Sequence, residues 1–136
     1  MTIDSLPNSM ICFVIEDDPL LASILAGHLE ERHGVTCTVF ETADDALFQI
    51  MDGTTLPALV VTDHLVPGSI RGAELASMIH SKWPGISVIV TSGYAYDLGD
   101  TLPPNTVFLS KPWSIEQLDQ AVSRLKIGSD VLTQKG

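Results

Sequence analysis

Met10-Ile11-Cys12-Phe13-Val14-Ile15-Glu16-Asp17-Asp18-Pro19 passes without a break from an apolar run to three acids and a proline. An apolar, β-branched run without polar alternation is the pattern of a strand buried on both faces. Asp18 before Pro19 marks a helix start: a carboxylate there accepts from the first free amides, and proline's fixed φ suits the first helical position. A strand turning directly into a helix is half of a βαβ unit, and its acids fall on the turn.

The same punctuation recurs along the chain. Further apolar runs at 35–40, 58–62, 86–91 and 106–109 complete, with 10–15, a set of five candidate parallel strands. Between and after them lie segments of helical spacing: Leu21, Ile24, Leu25 and Leu29; Ala43, Ala46, Leu47 and Ile50; Leu75, Met78 and Ile79; Leu118, Ala121, Val122 and Leu125. Ser114 and Gln117 have the spacing of a capping box. The segment 94–104, with Gly99, Pro103 and Pro104, shows little periodicity, so the fourth helix is expected to be short or distorted. Right-handed crossovers then give a three-layer, doubly wound α/β domain over 10–127, with flexible tails at 1–9 and 128–136.

A length of 136 residues suits one domain with a real core. No apolar run is long enough to span a bilayer and the start lacks a signal-peptide pattern, so a cytoplasmic protein without membrane contact is expected. Cys12 and Cys37 form no CxxC pair and sit in strand-like runs, which suggests reduced thiols. The net charge of −10, with seven scattered Lys and Arg residues, argues against a DNA-binding surface.

In an open parallel sheet, ligands bind beyond the carboxyl ends of the strands. Those ends carry Glu16, Asp17 and Asp18 after the first strand, Asp63 after the third, Thr91-Ser92 after the fourth and Ser110-Lys111-Pro112 after the fifth. Carboxylates crowded at one edge must protonate, pair or bind a cation. Mg²⁺ fits, because it takes oxygen ligands, few carboxylates, and phosphate oxygens at its remaining positions. Asp18 has the capping role and is left out of that set.

These residues resemble the response regulator receiver family of two-component signalling, in particular the stand-alone regulators of chemotaxis and phosphorelays. The hallmarks read Val14-Ile15-Glu16-Asp17-Asp18-Pro19, Val60-Val61-Thr62-Asp63, Ile89-Val90-Thr91-Ser92-Gly93 and Phe108-Leu109-Ser110-Lys111-Pro112, in order and on matching elements. The resemblance implies a flavodoxin-like sheet of order 2-1-3-4-5. It implies that Asp63 takes a phosphoryl group from a phosphohistidine on a histidine kinase or histidine phosphotransferase. Glu16, Asp17, Asp63 and the Leu65 carbonyl would hold Mg²⁺, with Lys111 as a second cation. Thr91 and Phe108 would act as switch residues. The output would be an altered face of the fourth helix, fifth strand and fifth helix, meeting a downstream protein or a second copy as a homodimer. No turnover of a separate substrate is implied, so the chain is not expected to be an enzyme in that sense.

Alternatives are a receiver-like interaction module that is never phosphorylated, or a Mg²⁺-dependent aspartyl-phosphate phosphatase. The phosphatase would want an acid at position 65, where Leu65 stands. The chain also departs from the family pattern. The loop from Asp63 to Gly72 is one residue longer than usual before its glycine. Leu65 and Gly93 offer no polar group to orient a hydrolytic water, which predicts slow self-dephosphorylation. His64 reads as a surface residue, and His28, His33 and His80 show no ligand spacing. Met1 and short flanks favour a stand-alone regulator.

Overall fold

Register pairs Cys12 with Cys37 on one side and with Leu59 on the other, which puts the first strand between the second and third. The computed structural model describes residues 10–93, 102–125 and 127. It contains strands β1 (Ile11–Ile15), β2 (Thr36–Phe40), β3 (Leu59–Asp63), β4 (Ser87–Ser92) and β5 (Thr106–Ser110). Among the described residues the helices are α1 (Pro19–His33), α2 (Ala43–Asp52), α3 (Gly72–Lys82) and α4 (Ile115–Arg124). All strand pairs are parallel and the order is β2-β1-β3-β4-β5, the flavodoxin-like arrangement expected from sequence. The expected fourth helix falls largely on residues 94–101, outside the described residues, so α4 is the element anticipated as the fifth helix.

Alternation along the strands feeds two cores. Cys12, Val14, Leu59, Val61 and Ile89 join Leu29 of α1 and Leu118 of α4 on one face of the sheet. Phe13, Ile15, Val60, Val88 and Val90 join Ile50 of α2 with Leu75 and Ile79 of α3 on the other. Each fully buried aliphatic side chain contributes about 1.5–3 kcal/mol, so the two layers fix the central strands firmly. The edges differ: β2 leaves Thr36, Thr38 and Val39 exposed, although its sequence reads like the central strands. Only one neighbour strand covers it, because the order places it outermost.

Cys12 and Cys37 are both free thiols. Hydrogen bonding to Cys37, then burial, push the Cys12 thiol well above its usual value, so it is held protonated.

Candidate functional site at the strand carboxyl ends

The chain order reverses between β1 and β3, and the side chains that matter leave the sheet there. Asp63 is the last residue of β3 and pairs with Thr91 of β4, and the His64 amide then donates to the Thr91 carbonyl at 2.7 Å. Beyond β5, the Lys111 amide donates to the Ser92 carbonyl at 2.8 Å, which turns the lysine towards β3. The Lys111–Pro112 peptide is cis.

As a result Lys111 Nζ lies 2.9 Å from Asp63 Oδ2, and Thr91 Oγ1 donates to Asp63 Oδ1 at 3.4 Å. The Asp63 side chain is 12% exposed and that of Lys111 28% exposed, so the pair is shielded but open to a small ligand. Thr91 is almost wholly buried.

Glu16 is 6% exposed, and its Oε2 accepts from the Asp18 amide at 3.1 Å. Burial pushes its pKa up; the Asp18 amide opposes this, Asp63 and Asp17 add to it, and Lys111 counters. Asp17 is exposed beside it. Asp18 caps α1, with Oδ1 accepting from the Leu20 and Leu21 amides at 3.0 and 3.3 Å. The capping role read from Asp18-Pro19 is therefore observed.

A carboxylate raised by burial first and by neighbouring acids after that is what a hard divalent cation relieves, so Glu16, with Asp17 and Asp63 beside it, fits Mg²⁺ in its chemistry. Among the described residues, His28, His33 and Asp119 are the group whose ligand atoms all lie within 4.8 Å of one another.

Phe108 is half-buried on the edge strand β5, in register with Val90. Leu65 is exposed, as is Gly93.

The long loop after Asp63 is held by residues that the sequence reading did not single out. Asp44 of α2 accepts from the Ser69 and Ile70 amides at 3.0 and 3.3 Å. Gly68 has φ +100°, and a Cβ there would meet Asp44 Oδ1. A Cβ on Gly72 would lie 2.6 Å from the Asp63 carbonyl oxygen and 2.8 Å from the His64 Cα, so the first residue of α3 packs directly on the backbone of Asp63 and His64. His64 is more than a surface residue: its Nδ1 accepts the Ala73 amide at 3.2 Å and so caps the first turn of α3. Glu74 accepts from the Arg71 amide at 2.8 Å.

The spacing of His28 and His33 marks no ligand pair, yet both Nε2 atoms meet Asp119 Oδ1, at 2.8 and 2.7 Å. Asp119 lies in α4, so a pattern confined to α1 could not reveal it. Burial pushes the Asp119 carboxyl up, but the bonds from His28 and His33 outweigh it and hold the group below its usual range.

No described helix is long and apolar enough to cross a membrane. In its fold the chain is similar to a response regulator receiver protein from Sinorhizobium medicae (TM-score 0.76, 19% identity, covering 90% of this chain and 95% of that one). It is also similar to the response regulator TrrA from Thermotoga maritima, solved with Mg²⁺-BeF (TM-score 0.70, 24% identity, covering 85% and 97%). A receiver domain from Francisella gives TM-score 0.69 at 24% identity, covering 85% and 94%. Residues 12–123 match the family model of the response regulator receiver domain, and with that match spanning most of the chain and the strand-end cluster inside it, the chain belongs to the receiver domains of two-component response regulators.

Proposed function

We propose that the chain is a phosphoacceptor: Asp63 takes a phosphoryl group from a phosphohistidine on a histidine kinase or phosphotransfer protein, and the domain signals through altered protein contacts. The observation that carries this reading is the paired Asp63–Lys111 contact at 2.9 Å at the carboxyl end of β3, flanked by Glu16, Asp17 and Thr91.

An Asp63 carboxylate oxygen attacks phosphorus as the bond to the donor's imidazole nitrogen breaks; the acyl phosphate forms, and the imidazole takes up a proton. No base on this chain is needed, because the attacking group is already an anion. Lys111 neutralises charge on the transferring oxygens, and Thr91 supplies a hydroxyl that can reach one of them. Glu16, Asp17, Asp63 and the Leu65 carbonyl would hold Mg²⁺, which supplies charge neutralisation and alignment of the phosphoryl oxygens. TrrA, solved with Mg²⁺-BeF, supports this extension by analogy of fold.

The new phosphoryl charge favours a state in which Thr91 has moved towards it and Phe108 has turned inward, a population shift between two conformers. Because Phe108 is half-buried on an edge strand, its movement changes the face of β5 and α4, the surface proposed for a downstream protein or a homodimer. The acidic, scattered charge supports protein targets over DNA, and a cytoplasmic location follows from the same reading. Acting only on itself, the domain turns over no separate substrate.

Intact mass after incubation with acetyl phosphate and Mg²⁺ tests the proposal. Gain of one phosphoryl group, lost in Asp63→Ala and in metal-free buffer, is expected. Absence of labelling, with a phosphohistidine donor also failing, would leave a phosphorylation-independent module. In Thr91→Val, labelling should persist while the shift of the Phe108 ring resonances is suppressed.

A further inference from the structure

α1 and α4 pack over the same sheet face, and they meet at His28, His33 and Asp119. His28 Nε2 and His33 Nε2 are 2.8 and 2.7 Å from a single oxygen, Asp119 Oδ1. The two rings stand edge to face with centroids 6.1 Å apart. The three side chains are 20%, 17% and 22% exposed, recessed from bulk solvent yet reachable by an ion. His33 is the last residue of α1, where the helix dipole favours a cation. Arg32 Nε is 3.7 Å from Asp119 Oδ2 but 66% exposed, so it is a weak, screened competitor.

We propose that His28, His33 and Asp119 form a site for a borderline divalent transition metal, with Zn²⁺ as its reference ion, that clamps α1 to α4. Two imidazole nitrogens and a carboxylate are a three-ligand set that zinc accepts, leaving a fourth position for water. Nitrogen donors discriminate against Mg²⁺, so this site and the strand-end site select different ions. Each Nε2 then offers its lone pair to the metal and carries its hydrogen on Nδ1. A neutral ring loses no net proton; a protonated ring releases one. Zinc binding therefore weakens in acid. Because an ion that binds only the folded chain stabilises it by mass action, the clamp raises the melting temperature as zinc is added.

The test is titration of chelator-treated protein with Zn²⁺ in Mg²⁺-containing buffer, with Co²⁺ as spectroscopic probe. One Zn²⁺ per chain is expected, displacing Co²⁺ that shows visible d–d bands without a near-ultraviolet thiolate band. Affinity should fall more than about tenfold in His33→Gln and in Asp119→Asn, and persist in Asp63→Asn and Cys37→Ser. Circular dichroism without metal checks that the variants fold, and His28→Gln serves where one does not. Undiminished binding in the histidine variants, a thiolate band abolished by Cys37→Ser, or no binding at millimolar zinc would each overturn the proposal.

Discussion

Lys111 Nζ and Asp63 Oδ2 are 2.9 Å apart, although 48 residues separate them in the chain. Both groups are largely withdrawn from water, so each makes the other's burial tolerable. Replacing Lys111 by Met leaves Asp63 facing Glu16 and Asp17 without its cation. A loss of about 1–2 kcal/mol is expected, which reads as a fall of roughly 3–8 °C in melting temperature. Labelling by acetyl phosphate should slow roughly 100-fold, the usual scale for removing one group that stabilises developing charge. A variant that labels at the wild-type rate would remove Lys111 from the proposed chemistry.

Glu16 gives a pH prediction. Its native pKa is raised from its ordinary value of 4.5, by burial first and by the neighbouring acids after that. The folded state therefore binds this proton more tightly than the unfolded state. Ionised Glu16 costs stability at neutral pH, and that cost disappears as pH falls through the raised native value. Glu16→Gln should raise the metal-free melting temperature at neutral pH and flatten its rise on mild acidification. The same variant should gain less from added Mg²⁺ than wild type does. Thermal scans across pH, with and without Mg²⁺, check both parts.

The fold and most of the strand-end cluster were legible because each residue was marked by its place at the end of an apolar run. Asp63 and Lys111 follow such runs, and Asp18 announces its cap by preceding Pro19. What stayed hidden was made by partners from distant elements. Asp44 reaches the loop at Ser69 from another helix, and Asp119 meets His28 across 91 residues. The capping role of His64 stayed hidden because a ring accepting a helix amide leaves no periodic trace. The β2 strand looked doubly buried, since edge position depends on strand order and not on local composition.

Gly72 supplies a prediction about positioning. A methyl group there would press on backbone atoms of Asp63 and His64, at 2.6 and 2.8 Å, and backbone cannot swing aside as a flexible side chain can. Gly72→Ala should cost about 1–3 kcal/mol and shift Asp63 relative to Lys111. The expected result is a lower melting temperature together with slower labelling. Gly27 is the control, because among the described residues its Cβ would meet nothing within 4 Å; Gly27→Ala should leave labelling intact and stability equal or higher.

Leu65 and Gly93 are the positions expected to set how long the proposed signal lasts. Hydrolysis of an acyl phosphate needs a water held in line with the phosphorus–oxygen bond, and a polar side chain is the usual means of holding it. Leu65, two residues beyond Asp63, is exposed and apolar, and Gly93 has no side chain. Among the described residues, a Cβ at Gly93 would meet the Lys111 stem alone, at ordinary contact distances of 3.8 and 3.9 Å. Purified phosphoprotein should therefore lose its label slowly. Leu65→Asn, or Gly93→Asn, should speed that loss several-fold without changing how fast label is gained. Following the intact mass after removal of the donor measures this directly. If wild type loses the phosphoryl group rapidly and both variants match it, backbone groups position the water and neither side chain sets the lifetime.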